Sequence, residues 1–419
     1  MRPDDLIHFC APSRLILGCG ARAQLPRLVQ KLGWKHGVLV TDRYFSGSTP
    51  WVREYVDAAQ AQGIDTVVYD GGEPDPTTDL CDAATRSLRQ ACAGIAVDHV
   101  IALGGGSNID LAKALCLTLP AGLPVREFVG GIGTMQPLPL IAMPTTAGTG
   151  SEATPGAILL DPHNATKVAV MDNALRPQVA LIDPELTYTC PPRVTADAGI
   201  DAFTHAIESF LTIDSCAYDR GGDPDPGYSG RSALTMLFAR ESMRLCIAFL
   251  ERAFNDGADR EARTGMAHAS LYAALSYGSA GLNAVHGIAY AVAGKTHRSH
   301  GTTNAVMLPY VLDALGDVRG EELLEVARLM SLEASTAREA SLAVPVAVRA
   351  LIGRLGIPTD LAAIGIEDGD LSGLVDDALG VARLAKAFPV PDVEARYRAI
   401  VRNAFAGYLR AEGAGARDF

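Results

Sequence analysis

Between residues 14 and 182 short apolar runs alternate with helical segments, and after Pro184 the short apolar runs stop. RLILG, GVLVTD, DTVVYD, DHVIALGGGS, PLPLIAMP and QVALIDPEL read as strands, while ARAQLPRLVQKLG, WVREYVDAAQAQG and DLCDAATRSLRQAC read as helices between them. Strands that alternate with helices form βαβ units, and such units build a mostly parallel sheet. AILLDPHNATKVAV has a hairpin pattern with Asp161–Asn164 as its turn. From about Arg193 onward, long Ala/Leu-rich segments carry apolar residues at spacings of three and four. SALTMLFARESMRLCIAFLERAF and the stretch Glu321–Arg354 are examples. The expected architecture is therefore α/β plus all-α: an α/β domain over residues 1–185 and a helical domain over 186–419. With 419 residues, two domains is also the expectation from length.

The composition, 48% hydrophobic and 20% charged, supports a large conventional core. A net charge of −12 gives no footing for nucleic acid or an anionic membrane surface as partner. The first twenty residues lack an apolar run long enough for a signal peptide, and no stretch is long and apolar enough for a membrane span. Eight scattered cysteines without a C-x-x-C pair read as reduced thiols in a cytoplasmic protein.

Four residues carry most of the chemistry. Asp201 and His205 stand at i and i+4 in the helical pattern DAGIDAFTHAIESF, which puts both on one helix face. His286 lies in an apolar helical run, and His300 follows fourteen positions later, before what reads as a Gly- and Asn-containing turn. Three imidazoles and a carboxylate make an N3O set suited to Fe2+ or Zn2+. A D-x-x-x-H pair is also common on ordinary helix surfaces, and spacing alone does not bring the two segments together. His297 is a second-choice ligand, and Lys295 and Arg298 are candidate partners for a substrate carboxylate.

ALGGGSNIDLAKAL sets Gly104, Gly105 and Gly106 between a strand and a helix, where backbone can approach a phosphate and the helix N-terminus offers N–H donors. Ser107 and Asp110 alternatively fit a capping box of a plain strand–helix turn. Asp42 ends the strand GVLVTD, where an acid can accept from a ribose 2′-hydroxyl and repel a 2′-phosphate, or simply cap a helix. PTTAGTGSE offers Thr145, Thr146, Thr149 and Ser151 on a Gly-punctuated loop suited to a nicotinamide or ribose.

Taken together, RLILGCGA, GVLVTD, GGGSNIDLAK, PTTAGTGSE, KVAVMDNALRPQVALIDPEL, DAGIDAFTHAIE, VHGIAY and SHGTTNAVMLPY resemble the iron-containing (group III) alcohol dehydrogenase family, in the family's order. The resemblance implies a Rossmann-like parallel-sheet domain and a helical domain with the active site in the cleft between them. It implies Asp201, His205, His286 and His300 as metal ligands, holding Fe2+ with Zn2+ as a substitute. For the dinucleotide it implies Asp42, Gly104, Gly105, Gly106, Ser107, Asp110, Thr145, Thr146, Ser151 and Lys167, with NAD ahead of NADP. A homodimer is the family-based expectation.

One position departs from the family pattern. Four residues after His286, where many members have a histidine, this chain has Tyr290. The HGxxY pattern with the VAG that follows looks closer to the hydroxyacid–oxoacid transhydrogenase branch. The expected activity is metal-dependent, NAD(H)-linked interconversion of an alcohol or hydroxy acid with an aldehyde or ketone, with His286 and Tyr290 facing the substrate. The alternatives are a transhydrogenase that keeps its cofactor, and a lyase resembling dehydroquinate synthase. The apolar segments around the ligands (LNAVHGIAYAVAG) argue against the lyase, whose phosphorylated substrate needs a basic pocket.

Overall fold

Alternate residues of the parallel strands feed two separate apolar clusters, which is what a sheet covered by helices on both faces requires. In the computed structural model, which describes residues 6–163 and 166–413, Val38 and Val40 belong to one cluster and Leu39 to the other. Val100 and Ala102 oppose Ile101 and Leu103 in the same way, as Leu140 and Ala142 oppose Ile141 and Met143. Each fully buried Val, Leu or Ile of this kind contributes roughly 1.5–3 kcal/mol over its exposed state.

The strands are β1 (Arg14–Leu17), β2 (His36–Val40), β3 (Asp65–Tyr69), β4 (His99–Gly104), β5 (Leu140–Pro144) and, after a hairpin, β8 (Val179–Ile182). They form one parallel sheet in the order β1-β8-β5-β4-β2-β3. The hairpin strands β6 (Gly156–Asp161) and β7 (Thr166–Met171) pair antiparallel as their alternation indicates; Asn164, in the expected turn, lies outside the described residues. Helices α1 (Leu25–Leu32), α2 (Arg43–Ser48) and α3 (Trp51–Gln60) follow β1 and β2, and α1 and α3 pack on one face. Helices α4 (Thr78–Ala91) and α5 (Gly106–Ala121) pack on the other. The chain therefore changes direction between β2 and β4, and the loops after these neighbouring strands meet at the carboxyl edge, the switch point where such sheets bind ligands.

The chain separates into two units, one of residues 10–190 with 225–227 and one holding the other described residues. The second unit is helical, with α6 (Pro192–Leu211), α7 (Ala233–Asn255), α8 (Arg260–Ala280), α9 (Ala284–Thr296), α10 (His300–Leu315), α11 (Gly320–Leu329), α12 (Ala337–Arg354), α13 (Leu371–Gly380), α14 (Ala382–Ala385) and α15 (Val393–Ala406). Two local expectations need correction. The stretch Glu321–Arg354 is two helices, because Ser331 adopts a left-handed φ of 56° and Thr336 starts a new helix with a capping box. The residues after His300 are not a turn: Ser299 caps α10, its hydroxyl accepting from Thr302 N, and His300 is the first helical residue.

Candidate functional site

Three helices of the second unit bring Asp201, His205, His286 and His300 together, with one ligand atom of each within 4.8 Å of all the others. Asp201 and His205 face inward from one side of α6, four residues apart, with His205 Nε2 3.8 Å from Asp201 Oδ1. His286 Nε2, from the first turn of α9, lies 3.8 Å from the same oxygen, and His300 Nε2, from the start of α10, lies 3.7 Å away. His286 Nε2 and His205 Nε2 are 3.0 Å apart. Asp201, His205 and His286 are buried, while the His300 side chain keeps 27% of its exposure and leaves the cluster one open side. His297 is exposed as the left-handed C-cap of α9 and stands outside the set.

The donor chemistry fits a divalent cation. Burial pushes the His286 imidazole down to about 4, so its Nε2 carries a lone pair at neutral pH. Asp201 is raised by burial, but the three histidines and the Asn304 amide outweigh this and hold it below the usual carboxylate value. A buried carboxylate beside three converging imidazoles, open on the His300 side, is a donor set of the kind that holds a divalent ion.

Two supporting residues escaped the reading of the sequence. Glu208 Oε2 accepts from His286 Nδ1 at 2.5 Å, while its Oε1 accepts from the backbone N–H groups of Asn283 and Val285 at 2.7 and 3.0 Å. This fixes the tautomer that turns Nε2 toward Asp201. Asn304, one turn into α10, donates to Asp201 Oδ1 at 2.8 Å and lies 3.0 Å from His300 Nε2. Glu208 sits seven residues after Asp201 on the same helical stripe, and Asn304 sits four after His300; both spacings were available signals.

Aromatic rings flank the histidines. His205 stacks on Tyr277 at 4.2 Å between ring centroids, and Tyr290 stacks on His300 at 5.6 Å. Burial holds the Tyr290 phenol well above its ordinary value, so it keeps its proton near neutral pH. Lys295, a candidate for a substrate carboxylate, instead pairs with Asp370 at 2.8 Å. Arg298 is exposed at the end of the α9–α10 connection.

In the first unit, the glycine loop and the Thr/Gly loop follow adjacent strands and touch each other. Thr145 N donates to Gly104 O at 3.0 Å, and a Cβ on Gly106 would lie 2.7 Å from Thr149 Cγ2. Gly104 has a φ of 151°, and a Cβ there would run into Asn108. The capping box is not formed: Gly105 is the N-cap of α5 and supplies no side-chain acceptor, which leaves the first-turn N–H groups for an anion. Ser107 Oγ instead accepts from Asp75 N, and Asp75 pairs with Lys167 at 2.8 Å. Asp110 bonds the Ser151 hydroxyl and accepts from Ile158 N at 2.9 Å, tying α5 to the Thr/Gly loop.

Asp42 is the N-cap of α2, with Oδ1 accepting from Tyr44 N at 2.9 Å. Its Oδ2 accepts from Asn108 Nδ2 at 2.9 Å, so Asn108 joins the ends of β2 and β4 across the switch point. Beneath the loops lies Lys113, fully buried, donating to the carbonyls of Thr154 and Gly156 at 2.9 and 2.7 Å. Burial lowers its amine to about 8 and raises the nearby Glu152 carboxyl to about 7.

Comparison with known proteins places these features in context. The model of the iron-containing alcohol dehydrogenase family matches residues 12–184, and that of the C-terminal part of the Fe-containing alcohol dehydrogenase family matches residues 227–405. The chain is 33% identical to long-chain-alcohol dehydrogenase 1 of Geobacillus thermodenitrificans, over 94% of this chain and 95% of that protein. It is 31% identical to the mitochondrial hydroxyacid-oxoacid transhydrogenase of Pongo abelii, over 93% and 88%. Among solved structures, sulfoacetaldehyde reductase from Bifidobacterium kashiwanohense in complex with NAD+ superposes with a TM-score of 0.82 at 25% identity, covering 95% of this chain and 98% of that one.

Proposed function

The chain belongs to the iron-containing alcohol dehydrogenase family, and we propose that it interconverts an alcohol or hydroxy acid with the corresponding aldehyde or ketone, using NAD(H) and Fe2+ held by Asp201, His205, His286 and His300. The observation that carries this reading is the convergence of three imidazoles and one carboxylate in a largely buried cluster whose His300 side chain stays 27% exposed. A divalent ion in such a set acts as a Lewis acid that makes a substrate hydroxyl easier to deprotonate and a carbonyl easier to attack. Zn2+ suits the same donors and competes for them.

The chain's own residues supply the rest. Glu208 orients His286, and Asn304 orients Asp201 by donating to Oδ1. Tyr290, beside His300, offers a phenolic hydrogen bond to a substrate oxygen. The open N–H groups at the start of α5 take the pyrophosphate, with Gly105 and Gly106 admitting it and Thr145, Thr146 and Ser151 lining the loop alongside. Asp42 favours NAD over NADP by repelling a 2′-phosphate. Lys167, paired with Asp75 beside Ser107, borders the same loops. All eight cysteines are free thiols, which suits a reducing compartment, and we place the enzyme in the cytoplasm as a homodimer. Among the described residues no helix is long and apolar enough to cross a membrane.

The test is NADH formation followed at 340 nm with anaerobic, Fe2+-reconstituted protein over a panel of primary alcohols and hydroxy acids. Turnover that a chelator abolishes supports the reading; equal rates from the metal-free protein overturn it. A second reading, hydride exchange between a hydroxy acid and an oxo acid on a retained cofactor, is favoured by Tyr290 and by the transhydrogenase relatives. It requires turnover of two organic substrates with no free NAD added.

A further inference from the structure

Arg383 is a cation beside the histidine cluster that no acidic side chain neutralises. It stands in α14, its Nε is buried without a hydrogen-bond partner, and no carboxylate pairs with it among the described residues. Arg298 of the α9–α10 connection is exposed to solvent, and four other basic groups of this region are engaged. Arg231 and Arg319 share Asp214 and Glu322, Lys295 holds Asp370, and Lys386 sits over the Tyr218 ring at 4.7 Å. An unpaired, partly buried arginine is conspicuous in a chain with a net charge of −12.

Its position is set by packing. Helix α14 lies against α9 at the residue that follows His286: a Cβ on Gly287 would come 3.7 Å from Leu384 Cβ and 3.2 Å from the Tyr397 hydroxyl. Arg383, next to Leu384, therefore stands beside the first turns of α9, which carry His286 and Tyr290. Tyr290, on the same helix, stacks on His300 at 5.6 Å, so the stretch of α9 packed against α14 is the one that reaches the histidine cluster. A planar guanidinium with unused N–H groups is the side chain best matched to a carboxylate.

We propose that Arg383 anchors the carboxylate of a hydroxy acid whose hydroxyl reaches Asp201, His205, His286 and His300, and that it is the residue by which this chain prefers hydroxy acids over plain alcohols. The proposal rests on the oxidoreductase reading and names its substrate class. An alcohol with a methyl group in place of the carboxylate leaves the guanidinium without an acceptor, so discrimination arises from an unpaired buried donor as well as from a missing attraction.

The experiment compares 4-hydroxybutyrate with 1-butanol, which share a carbon chain and differ in the carboxylate, on Fe2+-loaded wild type, Arg383→Met and Arg383→Lys. In Arg383→Met the ratio of kcat/KM for the acid to that for the alcohol falls by about 30-fold or more, as expected when one partner of a desolvated charge pair is removed. Arg383→Lys recovers part of the loss. Calorimetric titration with butyrate gives a second readout that needs no turnover: the wild type binds, and Arg383→Met binds at least about tenfold more weakly. Thermal unfolding of Arg383→Met matches or exceeds wild type, since the variant removes a buried donor that has no acceptor. An unchanged acid-to-alcohol ratio, or butyrate binding that ignores the substitution, overturns the assignment. If no substrate turns over, the oxidoreductase reading fails while the butyrate titration still decides the role of Arg383.

Discussion

Glu208 Oε2 and His286 Nδ1 lie 2.5 Å apart, so a carboxylate from α6 fixes which ring nitrogen of a residue on α9 faces Asp201. The same carboxylate uses its other oxygen on backbone N–H groups at the start of α9. Glutamine has only one acceptor oxygen and must abandon one of these duties. Glu208→Gln is therefore expected to weaken iron binding by about 10- to 100-fold, read by competition with a chelator. It should also lower stability by about 1–3 kcal/mol through unpaired buried N–H groups. Unaltered metal affinity would show that Glu208 is only a helix anchor.

Replacing His286 or His300 with alanine removes one of four donors. Metal-dependent turnover should vanish in both variants while NADH affinity, measured by fluorescence, stays within about twofold, because the dinucleotide loops are built entirely from residues 42–167. Full activity in a metal-free His286→Ala protein contradicts the ligand assignment.

At the glycine loop, a Cβ on Gly106 would press on Thr149 Cγ2 and Oγ1 at 2.7 Å. Gly106→Ala should reduce NADH affinity at least about tenfold, and adding Thr149→Ala should restore part of it, since neighbouring sites couple non-additively. Equal affinities for the single and double variants would place the damage elsewhere.

Asp42 both caps α2 and is proposed to select against a 2′-phosphate. Serine keeps the cap and loses the charge. Asp42→Ser also releases Asn108 Nδ2 and should therefore cost about 1–2 kcal/mol of stability, yet raise the preference for NADP over NAD at least about tenfold. A stability loss without a change in preference would leave Asp42 as a cap alone.

Glu152 is fully buried, and burial raises its carboxyl from 4.5 to about 7. The folded state then binds more protons than the unfolded state between about pH 4.5 and 7, so this group stabilises at low pH and its contribution is lost as pH rises through 7. The loss is on the order of 3 kcal/mol at most, from the size of the shift. Glu152→Gln should flatten the fall of Tm between pH 5 and 8; an identical pH profile in the variant would refute this.

The strand–helix alternation, the parallel sheet and the helical second half were legible because binary patterning reports directly on burial. The four converging donors were nominated by residue type and spacing, but their meeting depends on how α6, α9 and α10 pack, which spacing does not encode. Asn108 and Asn304 were missed because an asparagine in a helix looks like surface polarity until its partners are known. Ser331 broke the expected long helix through a single left-handed residue that no composition signal marks. Arg383 stayed invisible for a related reason: an arginine becomes informative only when the surrounding structure shows that nothing answers its charge.

The contacts described for the glycine loop lie within the sheet-bearing unit, and those described for the histidine cluster lie within the helical one. Mutational drift can then retune the lining near Arg383 and Tyr290 without disturbing the nucleotide grip. A lineage built on this scaffold can exchange one organic substrate for another in small, individually viable steps.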